Sequence, residues 1–274
     1  MQNILSVLGY RTIPVSSARE HDTLTANVQA VTHIGFQSMG TAWSRAGFFP
    51  WINETYATDI DSVKHLMMLR IFSGKPHVYS AIAFDNPQAH EQIIQYQKSA
   101  QELLTLFQKG NSQALLRYLH EIRDTVFHKN TDLVLRSEKS VINSCSLNEQ
   151  NCNVLSNSHL SLLAMAHTWY SLGINPYEHM ICQTPPFKFR LGIVERLFRD
   201  DLLLYDVAHC ASRNPVVLKH DAIFVDAVNS WVDVVTRRDE GEYTKLFLQT
   251  QEFFVSHLAQ GQQKSSDLIK YFAN

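Results

Sequence analysis

The sequence contains few of the residues that interrupt helices or cross-link small domains. Its 274 residues include only ten glycines, eight prolines and four cysteines, and the cysteines form no Cys-x-x-Cys pair. A disulfide framework is therefore not expected. The nearest metal-binding pair, His179 with Cys182, has no second pair at ligand spacing, so we predict no metal site. With 45% apolar residues, the chain has ample material for a large hydrophobic core.

An excess of charge of either sign is also missing. The chain has 24 basic and 26 acidic residues, a net charge of -2, and no basic stripe of the kind that binds phosphate backbones. No run approaches the ~20 apolar residues of a membrane span, and the N-terminus lacks the pattern of a secretory signal. We therefore predict a cytoplasmic protein that binds neither nucleic acid nor a membrane.

The sequence also lacks a Gly-x-Gly-x-x-Gly motif, the loop that holds dinucleotide phosphates at the start of an α/β domain. Residues 1–19 nevertheless resemble the end of a helix, stopped by Gly9, followed by a short β-type segment from Arg11 to Val15. A lone strand has nothing to pair with. We therefore interpret residues 1–19 as the remnant of a nucleotide-binding domain.

Helical periodicity dominates the rest of the sequence and predicts an all-α fold. A long helix is expected from Glu20, with an apolar stripe toward the core and an opposite polar face that includes Gln37 and Gly40. That polar face is expected to line a wet cleft or, alternatively, to be exposed to solvent. Further helices are predicted at 62–73, 88–109 and 112–128, and helical patterning resumes from residue 158. Residues 129–157, rich in Asn and Ser, are the predicted linker.

Two stretches of the sequence repeat one another. The segment RIFSGKPHVYSAI begins at Arg70 and RLFRDDLLLYDVA begins at Arg196, and in each a tyrosine follows the arginine by nine residues. An Asn-Pro pair follows both segments, and a histidine-containing helix precedes both. Counted from His33 and His167, the loop before the arginine is eight residues shorter in the second copy. We predict two helical domains, 20–128 and 158–274; chance similarity between amphipathic helices is the alternative.

Two longer strings resemble the fungal-type prephenate dehydrogenases, namely EHDTLTANVQAVTHIGFQSMGTAW at 20–43 and NSHLSLLAMAHTWYSLGINPYEHMICQTPPFKFRLGIVERLF at 157–198. The resemblance covers residues 8–258 and implies two tandem copies of that family's C-terminal helical, dimerisation domain. It also implies an NADP-dependent oxidative decarboxylation of prephenate to 4-hydroxyphenylpyruvate in tyrosine biosynthesis. In that family the NADP site and the catalytic histidine belong to the N-terminal domain, so we expect no catalytic residue in this chain and no activity from the chain alone.

The resemblance assigns several site residues. Arg70 matches the arginine that holds a prephenate carboxylate, with an interhelical salt bridge as the alternative. His33 matches the substrate-pocket histidine. Glu20, His21 and Asp22 match an interdomain hinge motif, although Asp22 is equally suited to be a helix N-cap.

The second copy is expected to differ in function. His167 and Arg196 are the counterparts of His33 and Arg70, but His167 shares a helix side with apolar residues and is better suited to the core. The second copy is therefore predicted to pack against the first as an internal pseudo-dimer, with a homodimer as the alternative. The competing function is a non-catalytic helical interaction module. A self-contained mutase would need a second cluster of basic residues, which the sequence does not reveal.

Overall fold

The computed structural model describes residues 15–52, 58–127, 134, 147, 157–178 and 184–273. In these ranges the chain forms eleven α-helices and no β-strand, which confirms the all-α prediction. The helices are α1 Ala18–Ala46, α2 Asp59–Phe72, α3 Pro76–Asp85, α4 Pro87–Gln108, α5 Ser112–Val126, α6 Leu160–Leu172, α7 Pro185–Arg199, α8 Asp201–Arg213, α9 Pro215–Arg237, α10 Glu240–Phe253 and α11 Val255–Ala273. The predicted strand before Val15, the pair His179 and Cys182, and most of the predicted linker lie outside the described residues.

The helix boundaries follow from residues that satisfy the free amides at each helix start. Asn86 and Asn214 are the N-caps of α4 and α9, and each side chain accepts hydrogen bonds from two backbone amides. Each is followed by a proline at the first helical position, where no amide donor is needed. The Asn-Pro pairs seen in the sequence are therefore helix junctions, at which the chain turns without a loop.

The helices on either side of residues 128–156 share one hydrophobic core. Helix α1 packs along α4 and α9, α4 also contacts α6, and α2 contacts α11. Large aromatic side chains from both parts of the chain are fully buried in this core, among them Trp51, Trp169 and Trp231. In the described part of the chain, no helix is both long and apolar enough to cross a membrane.

The face of α1 opposite its apolar stripe is covered in part: Gln37 and Gly40 are buried, whereas Gln29, His33 and Ser44 are half-buried, so the face is not the solvent-exposed side of the alternative expectation. Gln37 is only 1% exposed, and its amide nitrogen donates a hydrogen bond to the Tyr243 hydroxyl at 2.8 Å. A Cβ atom on Gly40 would collide with the ring of Phe72. Gln37 and Gly40 on this face thus pack against α10 and α2, respectively.

Candidate carboxylate-binding site

Arg190 is a buried guanidinium without an acidic partner among the described residues. It lies on α7, is 5% exposed, and its Nη1 donates to the Thr32 hydroxyl at 3.3 Å. Its guanidinium carbon lies 5.4 Å from the centroid of the Phe36 ring, and its Nε has no hydrogen-bond partner. Burying a charge in this way is costly unless something pairs with it. Arg190 is therefore suited to receive an anion.

Burial lowers the pKa of Arg190 to about 10; Tyr79 acts to raise it and Arg70 to lower it further. The guanidinium is thus still charged at neutral pH. Arg70 lowers this pKa because the two positive charges repel one another. A ligand with negative charge between them would relieve this repulsion.

His33 lies on α1 beside Arg190. Its ring makes an edge-to-face contact with Tyr79 at 5.0 Å, and its Nδ1 has no hydrogen-bond partner. Burial, together with the positive charge of Arg190, lowers the pKa of His33 well below its ordinary value. His33 is therefore neutral at physiological pH, and it can exchange a hydrogen bond with a ligand without adding charge.

Arg70 lies in the last turn of α2 and is half-buried. Its Nη1 donates to the hydroxyl of Ser266 on α11 at 3.3 Å, and no ion pair joins it to an acidic residue in the described ranges. Burial raises the pKa of the neighbouring Tyr79 on α3, while Arg190 and Arg70 both lower it. We call His33, Arg70, Tyr79 and Arg190 the arginine cluster.

The arginine cluster joins α1, α2, α3 and α7, and it has the chemistry to bind a molecule with two carboxylates and a hydroxyl. Two guanidinium forks are available for carboxylates, and a neutral imidazole and a phenol are available for further hydrogen bonds. The sequence predicts His33 and Arg70 as site residues, but it does not predict Tyr79 or Arg190. The signal was present, because Arg190 follows Phe187 by three residues and precedes Val194 by four, on the apolar face of α7.

The predicted hinge residues lie apart from this cluster, in the first turns of α1. Ser17 is the N-cap of α1 and accepts a hydrogen bond from the amide of Glu20, so Asp22 is not the cap. His21 and Asp22 contact one another at 3.4 Å. The carbonyl of Asp22 accepts a hydrogen bond from the side chain of Asn86 at 2.8 Å, which ties α1 to the start of α4.

His167 and Arg196 are both engaged with protein groups. The two ring nitrogens of His167 lie 2.6 Å from the Tyr118 hydroxyl and 2.8 Å from the Ser99 hydroxyl, and the residue is 2% exposed. Arg196 forms an ion pair with Asp59 on α2. Among the contacts of the described residues, none joins His167 to Arg196. The structure thus leaves neither residue available to a ligand in the way that Arg190 is.

The chain is similar to two curated fungal enzymes. It is 40% identical over 259 residues to the prephenate dehydrogenase [NADP(+)] of Saccharomyces cerevisiae, which covers 92% of this chain and 57% of that protein. It is 38% identical over 242 residues to the probable prephenate dehydrogenase [NADP(+)] of Schizosaccharomyces pombe, covering 87% of this chain and 56% of that protein. The chain therefore spans little more than half the length of these relatives.

No solved structure matches the chain at a significant level. A family model does: the model described as "TYR1-like, 6-phosphogluconate dehydrogenase C-terminal domain" matches residues 30–274, which include every helix after the first turns of α1 and all four residues of the arginine cluster. The chain belongs to this family of helical C-terminal domains.

Proposed function

We propose that this chain is the substrate-binding part of an NADP-dependent prephenate dehydrogenase, an oxidoreductase of tyrosine biosynthesis. The observation that supports the proposal best is the pair of arginines, Arg70 and Arg190, that have no acidic partner among the described residues. Prephenate has two carboxylates and a ring hydroxyl. A site with two unpaired guanidinium groups beside neutral hydrogen-bonding side chains matches this set of groups.

The residues of the arginine cluster are proposed to bind and orient the substrate. Arg70 and Arg190 would each take one carboxylate, and His33 and Tyr79 would hydrogen-bond to the remaining oxygens. Since Arg190 is buried, its interaction with a carboxylate is little screened by water. These contacts would hold the ring of prephenate in one orientation. The carboxylate on the ring leaves as carbon dioxide, and the ring becomes aromatic.

The residues of this chain do not fit NADP. The sequence has no Gly-x-Gly-x-x-Gly loop, and the described residues form no strand from which such a loop could start. We propose that NADP, which accepts the hydride of the reaction, binds to a nucleotide-binding domain of the same enzyme. Accordingly, we expect the 274-residue chain by itself to bind no NADP and to bind prephenate weakly. The interdomain role of Glu20, His21 and Asp22, the cytoplasmic location and the choice between pseudo-dimer and homodimer remain predictions from the sequence.

The proposal is tested by prephenate-dependent reduction of NADP, followed by NADPH absorbance, in the full enzyme that contains this chain. Replacing Arg70 with glutamine should raise the KM for prephenate by about 10- to 100-fold, because a charge-assisted hydrogen bond contributes about 1.5–3 kcal/mol. Arg45→Gln is the matched control. Arg45 also donates to a serine hydroxyl, that of Ser230, at 2.9 Å, but it lies outside the cluster.

Two results would contradict the proposal. A full enzyme that reduces no NADP with prephenate would favour the interaction module. Equal effects of Arg70→Gln and Arg45→Gln would show that the loss of an arginine, and not the loss of a substrate contact, explains the change.

A further inference from the structure

Several helix-terminal residues recur along the chain at similar spacings. Four of them in the first half have counterparts 126 or 128 residues later with a similar backbone conformation. The left-handed C-caps Gly47 and Gly173 and the N-caps Thr58 and Thr184 are 126 residues apart, whereas the left-handed residues Gly110 and Arg238 and the N-caps Asn86 and Asn214 are 128 residues apart. This spacing supports two copies of one helical unit, α1 to α5 and α6 to α10.

The same register revises which residues correspond. Trp43 precedes Arg70 by 27 residues, and Trp169 precedes Arg196 by 27, so the connection between them does not differ in length. The difference of eight residues arose from pairing His33 with His167. At a spacing of 126, the counterpart of His33 is His159.

In the same register, the counterpart of Arg190 is Lys64. Lys64 is 3% exposed, and its Nζ lies 3.3 Å from Nδ1 of His159. Each of the two sites thus combines a histidine from one half with a cation from the other: His33 with Arg190, and His159 with Lys64. We call the second group, made of Asp61, Lys64 and His159, the lysine cluster.

The two sites differ in their acidic residues. Asp61 accepts from Lys64 Nζ at 3.1 Å, and Asp59 pairs with Arg196, the counterpart of Arg70. At the equivalent positions of α7 stand Pro185 and Phe187, which have no charge. Lys64 and Arg196 are therefore each neutralised by an aspartate. Arg190 and Arg70, by contrast, have no acidic partner among the described residues.

The lysine cluster borders a small cavity. The cavity lined by Lys64 and His159 has a volume of about 50 Å³. That volume holds a few water molecules at most, whereas ligand pockets occupy roughly 300–1,000 Å³. The amide of Asn157 also donates to Asp61 at 3.0 Å, which further satisfies the carboxylate.

We infer that the chain contains two pseudo-symmetric sites, of which Asp59 and Asp61 close one, and that Arg190, supplied by the second copy, binds a substrate carboxylate in the other. This inference rests on the proposed function for the identity of the substrate. It assigns the second copy a direct part in substrate binding. It also explains why the buried charge of Arg190 has no protein partner.

Matched substitutions at the two equivalent positions should have opposite effects. Arg190→Met removes an unpaired buried charge, so it should raise the KM for prephenate by about 10- to 100-fold while leaving the melting temperature unchanged or higher. Lys64→Met leaves Asp61 buried without its cation, so it should lower the melting temperature while the KM of the folded enzyme stays within about twofold. Arg196→Met, which breaks a more exposed pair, is a milder control for the same side.

A third substitution transfers the acid from one site to the other. Phe187→Asp places a carboxylate on α7 where Asp61 stands on α2, one turn before the cation. It should neutralise Arg190 and raise the KM for prephenate as much as Arg190→Met does. Because Phe187 is fully buried, this substitution should also lower the melting temperature. All measurements use NADP reduction by the full enzyme and thermal unfolding of the same samples.

The outcomes separate this inference from the proposed function. An active wild-type enzyme whose KM is unaffected by Arg190→Met, or affected equally by Lys64→Met, overturns the inference and leaves the function intact. A wild-type enzyme without prephenate turnover overturns the function. In that case thermal-shift titration with malonate, a dicarboxylate probe, tests the sites. Stabilisation that is lost only in Arg190→Met and Phe187→Asp supports the inference, and equal stabilisation of all variants overturns it.

Discussion

Individual buried polar residues in this protein differ in whether the fold provides them with a partner. Arg190 has no partner of opposite charge among the described residues, whereas Asp61 forms an ion pair with Lys64. Burial alone would raise the pKa of Asp61, but Lys64, together with His159 and a hydrogen bond from Thr58, holds it below its ordinary value. Under the proposed function, the unpaired charge of Arg190 lowers stability in exchange for substrate binding.

Asp221 offers a test of buried charge that is independent of the substrate. It accepts from the Ser158 hydroxyl at 2.7 Å through one oxygen, while its other oxygen has no partner. Burial raises the pKa of Asp221 from 3.8 to about 7, although Ser158 and Lys64 act to lower it. The folded protein thus holds this proton more tightly than the unfolded chain does. The stability that Asp221 contributes is fully present below its unfolded pKa and is lost as the pH rises toward 7.

We therefore predict that Asp221→Asn stabilises the protein at about pH 8, by on the order of 2 kcal/mol, and that this gain disappears toward about pH 4. Urea unfolding at several pH values measures the difference. Asp226→Asn, at an exposed position on the same helix, is the control and should show no such trend. A gain for Asp221→Asn that does not vary with pH would contradict the prediction.

At the residue scale, the sequence predicted the site in part. Arg70 and His33 were identified by their resemblance to a family, since no pattern within one sequence states what an arginine binds. The apolar spacing around Arg190 predicts that this arginine is buried, but it does not show that the buried face of α7 lies against α1. Periodicity predicts a wet cleft or solvent beside Gln37, because it cannot reveal that Tyr243 of α10 covers this part of α1.

At the scale of helices, close crossings depend on small residues. Gly40 of α1 faces α2, and an added Cβ would meet the ring of Phe72 and lie 3.1 Å from the sulfur of Met68. Gly241 is also within a helix, α10, but the nearest atom to its added Cβ is a side-chain oxygen of Asp239 at 3.5 Å. The same substitution should therefore have opposite effects at the two positions.

Gly40→Ala is expected to destabilise the protein by about 1–3 kcal/mol, because overpacking outweighs the gain in helix propensity. Gly241→Ala should stabilise it by roughly 0.5–1 kcal/mol, because only the propensity changes. Chemical denaturation of the two variants measures both values. If the alanine at position 40 stabilises the protein as much as the one at 241, helices α1 and α2 do not approach as closely as described.

Helices were the best predicted feature. Those expected at 88–109 and 112–128 are observed at Pro87–Gln108 and Ser112–Val126, because Asn-Pro and Gly-Asn pairs mark their ends chemically. The correspondence between copies was predicted less well. Two histidines, His159 and His167, lie within eight residues, and the helix caps, together with the Trp-to-Arg spacing, show that His159 occupies the position of His33.

At the scale of the whole molecule, the two copies are not separate bodies. Helix α1 of the first copy packs against α9 of the second, and α4 packs against both α6 and α9. Because each copy completes the core of the other, we predict one cooperative unfolding transition for the chain. Tryptophan fluorescence, which reports on Trp51 and Trp231 among others, and far-ultraviolet circular dichroism should give the same midpoint in urea. Two resolved transitions would show that the copies unfold independently.

Helix α2 contributes to both pseudo-symmetric sites, through Arg70 at one end and through Asp59 and Asp61 at the other. After a duplication, natural selection for substrate binding would act on only one of two initially equal sites, and the other would be free to accumulate stabilising ion pairs. In descendants of the same duplication, we expect the uncharged character of positions 185 and 187 to be kept, while the ion pairs of the closed site are exchanged for other stabilising contacts.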